Sequence, residues 1–173
     1  MRITLPDPCL VILCGPAGCG KSTFARRRFR STQIVSSDRC RAMLTDTEDA
    51  MWASAEAFDL FHKIIEMRLK FRRLTVADST ALGKPARSAL RRIARENATP
   101  AILIVFNVSM QTCLTRDGMR GRRVGRDVIA RQIEKLQQAI IDTRTERFDA
   151  VYILDEKEMD AVSVRRRKKE RKR

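Results

Sequence analysis

The chain has 173 residues, 43% hydrophobic, 33% charged and only 5% aromatic, with 36 Lys/Arg against 21 Asp/Glu for a formal net charge of +15. That length supplies one domain with a real core and excludes two comfortable ones. No run approaches the roughly 18 apolar residues of a membrane helix. The amino end "MRITLPDP" has no apolar signal core, and the five cysteines (Cys9, Cys14, Cys19, Cys40, Cys113) are odd in number and lack zinc-ribbon spacing. A membrane protein and a disulfide scaffold are thereby excluded, and a cytoplasmic chain with reduced structural thiols is expected.

Strand-like and helix-like segments alternate. "CLVILC" (Cys9 to Cys14) is a continuous apolar run, as a strand buried on both faces requires. A helix follows from Lys21 to about Phe29, then a short strand "QIVSS" (Gln33 to Ser37). Met51 to Arg73 reads as a long helix with Phe58, Phe61, Ile65 and Leu69 at spacings of three and four. "LTVAD" (Leu74 to Asp78) is a third strand. Lys84 to Asn97 is a helix with Pro85 in its first turn, where a missing N–H costs little. "PAILIVFNV" (Pro100 to Val108) is a fourth strand. A helix near Ser109 to Thr115, a Gly/Arg-rich stretch, a helix from about Arg126 to Arg147 and a fifth strand, Ala150 to Leu154, complete the pattern. Five strands separated by helices predict an α/β domain over residues 1–160, its five-stranded, mainly parallel sheet flanked by helices. From Ala161 to Arg173 eight Lys/Arg meet one Glu. This basic tail is expected to be disordered or a frayed helix. The remaining body, with 28 basic and 20 acidic residues, is itself basic. Such a balance favours a polyanionic partner through steering and counterion release.

In open parallel sheets ligands gather at the carboxyl ends of the strands, so the chemistry is sought there. After the first strand, Gly15-Pro16-Ala17-Gly18-Cys19-Gly20-Lys21-Ser22 fits G-x-x-x-x-G-K-[ST] in the required strand–loop–helix context. Backbone N–H groups would wrap a nucleoside triphosphate, the helix amino end adding favourable dipole. Lys21 would neutralise β/γ oxygens and Ser22 would ligate Mg²⁺. Gly15, Gly18, Cys19, Gly20, Lys21, Ser22 and Thr23 form the predicted nucleotide-binding set. Cys19 reads as a small filler of the loop rather than a redox switch.

After the second strand comes "SSDRCR", Ser36 to Arg41. Asp38, on a strand expected beside that of the phosphate loop, would take the proton of an alcohol acceptor. Arg41, one turn on, would hold an acceptor phosphate or the carboxylate itself. The structural alternative is that Asp38 caps the following helix. After the third strand, Asp78 would hold Mg²⁺ through water, orient Arg41, or serve as a cap; Asp38 is the other candidate for a water-mediated Mg²⁺ contact. "RDGMRGRRVGRD" (Arg116 to Asp127) crowds Arg116, Arg120, Arg122, Arg123 and Arg126 around glycines. This suits a lid near residues 116–127 that closes over the triphosphate and supplies cations to it, Arg120 among the candidate phosphate ligands; the structural alternative is a solvated basic loop. Trp52 is expected to pack on the core, with base stacking as the lesser alternative, and His62 to be a packing or surface residue. "FARRRFR" (Phe24 to Arg30) reads as a solvated helix face or an outer phosphate track.

From about Ile3 to Leu154 the chain resembles the kinase module of the bacterial polynucleotide kinase–phosphatase family of RNA repair. The phosphate loop is shared by many nucleoside triphosphatases. "IVSSDRCR", "AFDLFHKIIEMRLKFRRLTVADST", "VFNV" and the Arg-rich stretch carry the more specific resemblance. It implies a P-loop phosphotransferase fold and transfer of the γ-phosphate of ATP, or another NTP, to the 5′-OH end of DNA or RNA. It further implies that Lys21 and Ser22 bind ATP–Mg²⁺, that Asp38 is the general base, that Arg41 contacts the acceptor phosphate, and that Arg116 and Arg123 are lid arginines. The family often has Asp-Ala-Thr-Asn after the third strand, where this chain has Asp78-Ser79-Thr80-Ala81. The family's phosphatase and ligase modules have no counterpart after Leu154, so a stand-alone or excised kinase is expected. Two other readings fit the same motifs: a small-molecule kinase acting on a sugar, nucleoside or acyl alcohol, and a non-catalytic nucleotide-gated nucleic-acid binder.

Overall fold

A computed structural model of the chain describes residues 1–119, 121 and 123–168. The run expected to be buried on both faces, β2 (Leu10–Cys14), has every residue buried. Alternation divides it between two cores: Val11 and Leu13 face one cluster, and Leu10, Ile12 and Cys14 the other. Its parallel neighbours are β4 (Thr75–Asp78) and β5 (Ala101–Phe106). β3 (Ile34–Ser36) pairs with β4, and β6 (Ala150–Leu154) pairs with β5. The sheet therefore has five strands, all parallel, in the order β3-β4-β2-β5-β6.

Helices cover both faces. Phe24 of α1 (Lys21–Arg28), Cys113 of α5 (Met110–Gly118) and Ile129 of α6 (Arg126–Asp142) close one core, where the Phe24 and Phe106 rings meet edge-on at 5.3 Å. Phe61, Ile65 and Leu69 of α3 (Ser54–Lys70) and Leu90 and Ile93 of α4 (Lys84–Glu96) close the other. Each fully buried side chain of this size contributes about 1.5–3 kcal/mol. Pro85 stands in the first turn of α4, as expected. The long helix expected from residue 51 is shorter: a 3-10 turn covers Met51–Ala53, and the chain leaves α3 through Arg72 at φ 54°. Trp52 is 82% exposed, which corrects its expected core position.

The amino and carboxyl ends also depart from expectation. β1 (Arg2–Asp7), not anticipated from the sequence, pairs in parallel with β7 (Ser163–Lys168), from Arg2 opposite Ser163 to Asp7 opposite Lys168. A short helix α7 (Glu156–Ala161) precedes β7, closed by a capping box of Asp155 and Glu158. The expectation of a disordered tail from residue 161 is thus corrected through Lys168. Ile3 and Leu5 of β1 are fully buried, and Val162 and Val164 join the same core. Arg165, Arg166 and Arg167 stay exposed, where their charge costs little. The charge run hid this anchor. Residues 169–173, the rest of the expected tail, lie outside the described residues. Among the described residues no helix is long and apolar enough to cross a membrane.

Candidate active site

β2 delivers the chain at Cys14 into the glycine-rich loop, and α1 leaves it at Lys21. Gly18 has φ +77°, and a Cβ there would stand 2.4 Å from the Cys113 carbonyl oxygen, so only glycine fits. Two backbone N–H groups are tied down from remote segments: Gly15 N donates to Thr80 O at 2.9 Å, and Ala17 N to Gln132 Oε1 of α6 at 2.7 Å. The buried Lys21 ammonium donates to the Gly15 and Pro16 carbonyls at 2.8 and 2.7 Å. Cys19 is fully buried inside the loop, its Sγ 3.6 Å from Lys21 Nζ.

Strand order corrects one placement. The strand leading to Asp38 is not beside that of the phosphate loop; β4 lies between them. Asp78, at the end of β4 and opposite Leu13, is the carboxylate next to the loop. It is 6% exposed, and burial pushes its pKa up. A hydrogen bond from the Ser22 hydroxyl and the nearby Lys21 charge oppose that rise, while Asp38 adds to it. Asp78 caps no helix, since α4 starts after Gly83.

Neither does Asp38 cap α2 (Ser37–Thr45). Ser36 takes that place, its side chain accepting from Arg39 N at 3.3 Å. Asp38 is left in the first turn with a half-exposed carboxylate that accepts from Arg41 Nη1 at 2.8 Å. The Arg41 side chain is only 4% exposed; Nη1 also donates to Glu48 O at 3.1 Å, and its buried Nε has no partner among the described residues. The pair therefore places a fixed buried cation behind an accessible anion.

Lys21, Ser22, Asp38, Arg41, Asp78 and Gln132 line one cavity of about 860 Å³. Of the expected lid arginines, Arg116 reaches the loop, its Nη1 donating to Cys19 O at 2.9 Å. Arg123 is exposed and does not line the cavity. Arg120 and Arg122 lie outside the described residues. The segment is gathered by the buried Asp117, whose carboxylate accepts from Val124 N and Gly125 N at 3.0–3.1 Å. Gln132 and Asp117 were not singled out from sequence. Gln132 meets the loop across 115 positions, a separation that no local pattern spans.

A second buried arginine anchors the loop that follows β4. Arg87 of α4 is fully buried, bonded to Glu146 through Nε (2.8 Å) and Nη2 (3.0 Å) and to Asp142 at 3.1 Å. Its Nη1 donates to the carbonyls of Ala81 and Leu82, fixing the loop that carries Ser79 and Thr80 beside Asp78. Burial also pushes the Cys14 thiol up to about 11 and Cys113 up to about 12, so both are neutral at pH 7.

The donor set tests the expected Mg²⁺. The Ser22 hydroxyl and Asp78 carboxylate are hard oxygen donors in mutual contact at the cavity wall, the chemistry Mg²⁺ takes. No group of three or more His, Cys, Asp or Glu is placed to hold a metal among the described residues, so a dedicated all-protein cage is not offered.

No curated protein matches the chain. Among solved structures it is similar to a chain of the Pnkp1/Rnl/Hen1 RNA repair complex, with TM-score 0.68 at 22% identity over 82% of this chain and 47% of that one. This chain thus spans about half the length of that relative. A Chloroflexus aurantiacus J-10-fl protein provisionally described as a kinase gives TM-score 0.61 at 17% identity, covering 90% of this chain and 91% of the other. The Mycobacterium tuberculosis APS kinase CysC, solved with AMPPNP and APS, gives 0.51 at 14% identity, covering 86% and 89%. At these identities the likeness establishes the fold: an α/β P-loop kinase-like domain. Residues 10–140, well over half of the sequence, match the AAA domain family, and the chain belongs to that family.

Proposed function

We propose that the chain is an ATP-dependent polynucleotide 5′-hydroxyl kinase, transferring the γ-phosphate to a DNA or RNA 5′ end. The observation that carries the phosphotransferase reading is the Asp38–Arg41 pair: an accessible carboxylate on a buried guanidinium, opening on the cavity that Lys21 and Ser22 line. The polynucleotide acceptor is supported by the net charge of +15 and by the RNA repair neighbour.

In this reading Asp38 accepts the proton of the 5′-hydroxyl while its oxygen forms a bond to the γ-phosphorus. The bond from that phosphorus to the β–γ bridging oxygen breaks, and ADP leaves. Arg41 orients Asp38 through Nη1, and its Nε, without a partner among the described residues, is a donor for an acceptor phosphate. Lys21 moves from the Gly15 and Pro16 carbonyls to the triphosphate oxygens, and Arg116 buttresses the loop from the other side. Ser22 and Asp78 would hold Mg²⁺ together with water, and the ion would supply charge neutralisation to the triphosphate. The kinase domain runs through β7 to Lys168, and the 116–127 segment is its lid, with Arg123 as a phosphate ligand in the closed form.

The test is label transfer from γ-labelled ATP with Mg²⁺ to matched oligonucleotides ending in 5′-OH or 5′-phosphate, alongside sugars, nucleosides and acyl alcohols. Label on the 5′-OH strand only is expected. Label on a small alcohol but no strand would make the chain a small-molecule kinase. Nucleotide and strand binding without label on any acceptor would make it a nucleotide-gated binder.

A further inference from the structure

A second cavity, of about 390 Å³, opens at the amino-terminal end of β3 and β4, opposite the phosphate loop. Five arginines (Arg30, Arg68, Arg72, Arg73 and Arg166) line it, with one carboxylate, Asp7. Three of the guanidinium groups are oriented by neutral acceptors. Arg68 donates to Thr75 Oγ1 and Leu74 O at 3.2 and 3.1 Å, Arg72 to the Asn97 and Ala98 carbonyls at 3.3 Å, and Arg166 to Gln33 Oε1 at 2.8 Å. None of the five forms a salt bridge among the described residues. The contrast with Arg87 is informative. Where this fold buries an arginine for structure, it supplies two carboxylates. Here five arginines, four of them exposed, line one cavity with a single carboxylate, so the cavity carries a net positive charge open to an incoming anion. Guanidinium forks match phosphate oxygens in both geometry and charge.

The position of this cavity identifies the source of the phosphate. Ser31 and Ile34 line the active-site cavity, while Arg30, Thr32 and Gln33 line this one. The Ser31–Gln33 turn is therefore the wall shared by the two. β3, which links that turn to the residues before Asp38, has three residues and spans about 10 Å. A strand whose 5′ end reaches Asp38 needs only to cross the turn to enter the arginine cavity.

We infer that the arginine cavity is a second phosphate site for the acceptor strand, gripping the single-stranded backbone a few nucleotides from the reacting 5′ end. The inference rests on the polynucleotide reading above. It also gives a role to β7, because Arg166 enters the cavity only through the pairing of β7 with β1.

The test measures binding of 5′-phosphorylated, hence unreactive, single strands by fluorescence anisotropy. Strand length runs from a dinucleotide to about twelve nucleotides, within the usual footprint of single-strand sites. The variant is Arg73→Glu/Arg166→Glu, both positions exposed and outside the phosphate loop and the Asp38–Arg41 pair. Arg30→Glu is a second, single variant. Arg95→Glu/Arg144→Glu, also exposed, controls for net charge. In the wild type, affinity is expected to climb with length. In the double variant the long strands lose on the order of tenfold, and the salt slope falls by about 0.7 for each phosphate the protein no longer neutralises, while the dinucleotide binds as before. Arg30→Glu follows in the same direction, and the control pair keeps the wild-type length dependence. Equal length dependence in wild type and variant, or an equal loss in the control, overturns the inference. Binding of inorganic tripolyphosphate that the double variant abolishes, with strand affinity untouched, overturns it in favour of a free-polyphosphate site. Because these strands accept no label, a failed transfer assay with the length effect intact refutes the kinase and leaves the second site standing.

Discussion

Asp38→Asn separates the proposed chemistry from the scaffold. Asparagine keeps the size of the side chain and an oxygen that accepts from Arg41, whose Nη1 lies 2.8 Å from the carboxylate. It removes the charge and the ability to take a proton. Loss of a positioned general base costs about 10²–10⁴ in rate, or about 2.7–5.4 kcal/mol of barrier at 1.36 kcal/mol per decade. The structural cost is much smaller. The Asp38 side chain is 53% exposed, so the ion pair is screened by solvent even though Arg41 is buried. Pairs with an exposed partner contribute up to about 1 kcal/mol, which lowers Tm by about 2–4 °C in a chain of this size. The assay is single-turnover label transfer from saturating γ-labelled ATP to a 5′-OH oligonucleotide, with nucleotide affinity and thermal unfolding measured on the same preparation. A variant within about threefold of wild-type rate, with unfolding shifted as calculated, would refute the assignment of Asp38 as base. A rate loss accompanied by lost nucleotide binding would refute the separation of the acceptor side from the phosphate loop.

Other consequences follow from the same geometry. Gly18→Ala forces a Cβ to within 2.4 Å of the Cys113 carbonyl at a positive φ, so the loop must shift; nucleotide affinity and Tm are both expected to fall, and unchanged nucleotide titrations would contradict this. Arg87→Ala strands Glu146 and Asp142 and frees the 81–82 carbonyls, at a cost of about 3–5 kcal/mol in denaturant unfolding; a loss under about 1 kcal/mol would show that the cluster is not an anchor. His62 is half-buried against Phe58 and Phe61, and burial lowers its pKa, Asp59 opposing and Arg92 reinforcing the change. The folded state therefore favours the neutral ring. Its stability contribution is complete above the ordinary value of about 6.5 and is lost as pH falls through the lowered folded value. His62→Asn is expected to flatten the stability profile on the acid side of pH 6.5, and parallel wild-type and variant profiles would exclude this residue as the cause.

Contiguous features were readable from the residues because local chemistry alone produces them. The phosphate loop needs glycines and a Lys-Ser pair between a strand and a helix, and all of it lies within one short stretch. β2 and β5 announced themselves as uninterrupted apolar runs because both of their faces are covered. Asp38 and Arg41 were placed together by a single helical turn. The Asp38 capping role failed because the helix already starts at Ser37 with Ser36 as its N-cap, which leaves Asp38 inside the first turn. The tail was misread because five of the six residues in β7 are polar or basic, so its alternation is carried by Val164 alone.

The sequence by itself determined that the chain folds as an α/β domain around a nucleotide-phosphate loop and that it carries a strong positive charge, since composition, period and contiguous motif require no knowledge of which segments meet. Tertiary structure alone decided that β4 separates β3 from β2, so that Asp78 rather than Asp38 flanks the loop. It also decided that Gln132, Asp117 and Arg87 hold the loop and its surroundings in place, and that Arg166 joins Arg30 and Arg68 around one cavity. Those interactions link segments distant in the chain. Their partners are selected by the packing of whole helices and strands, a global free energy that no local pattern encodes.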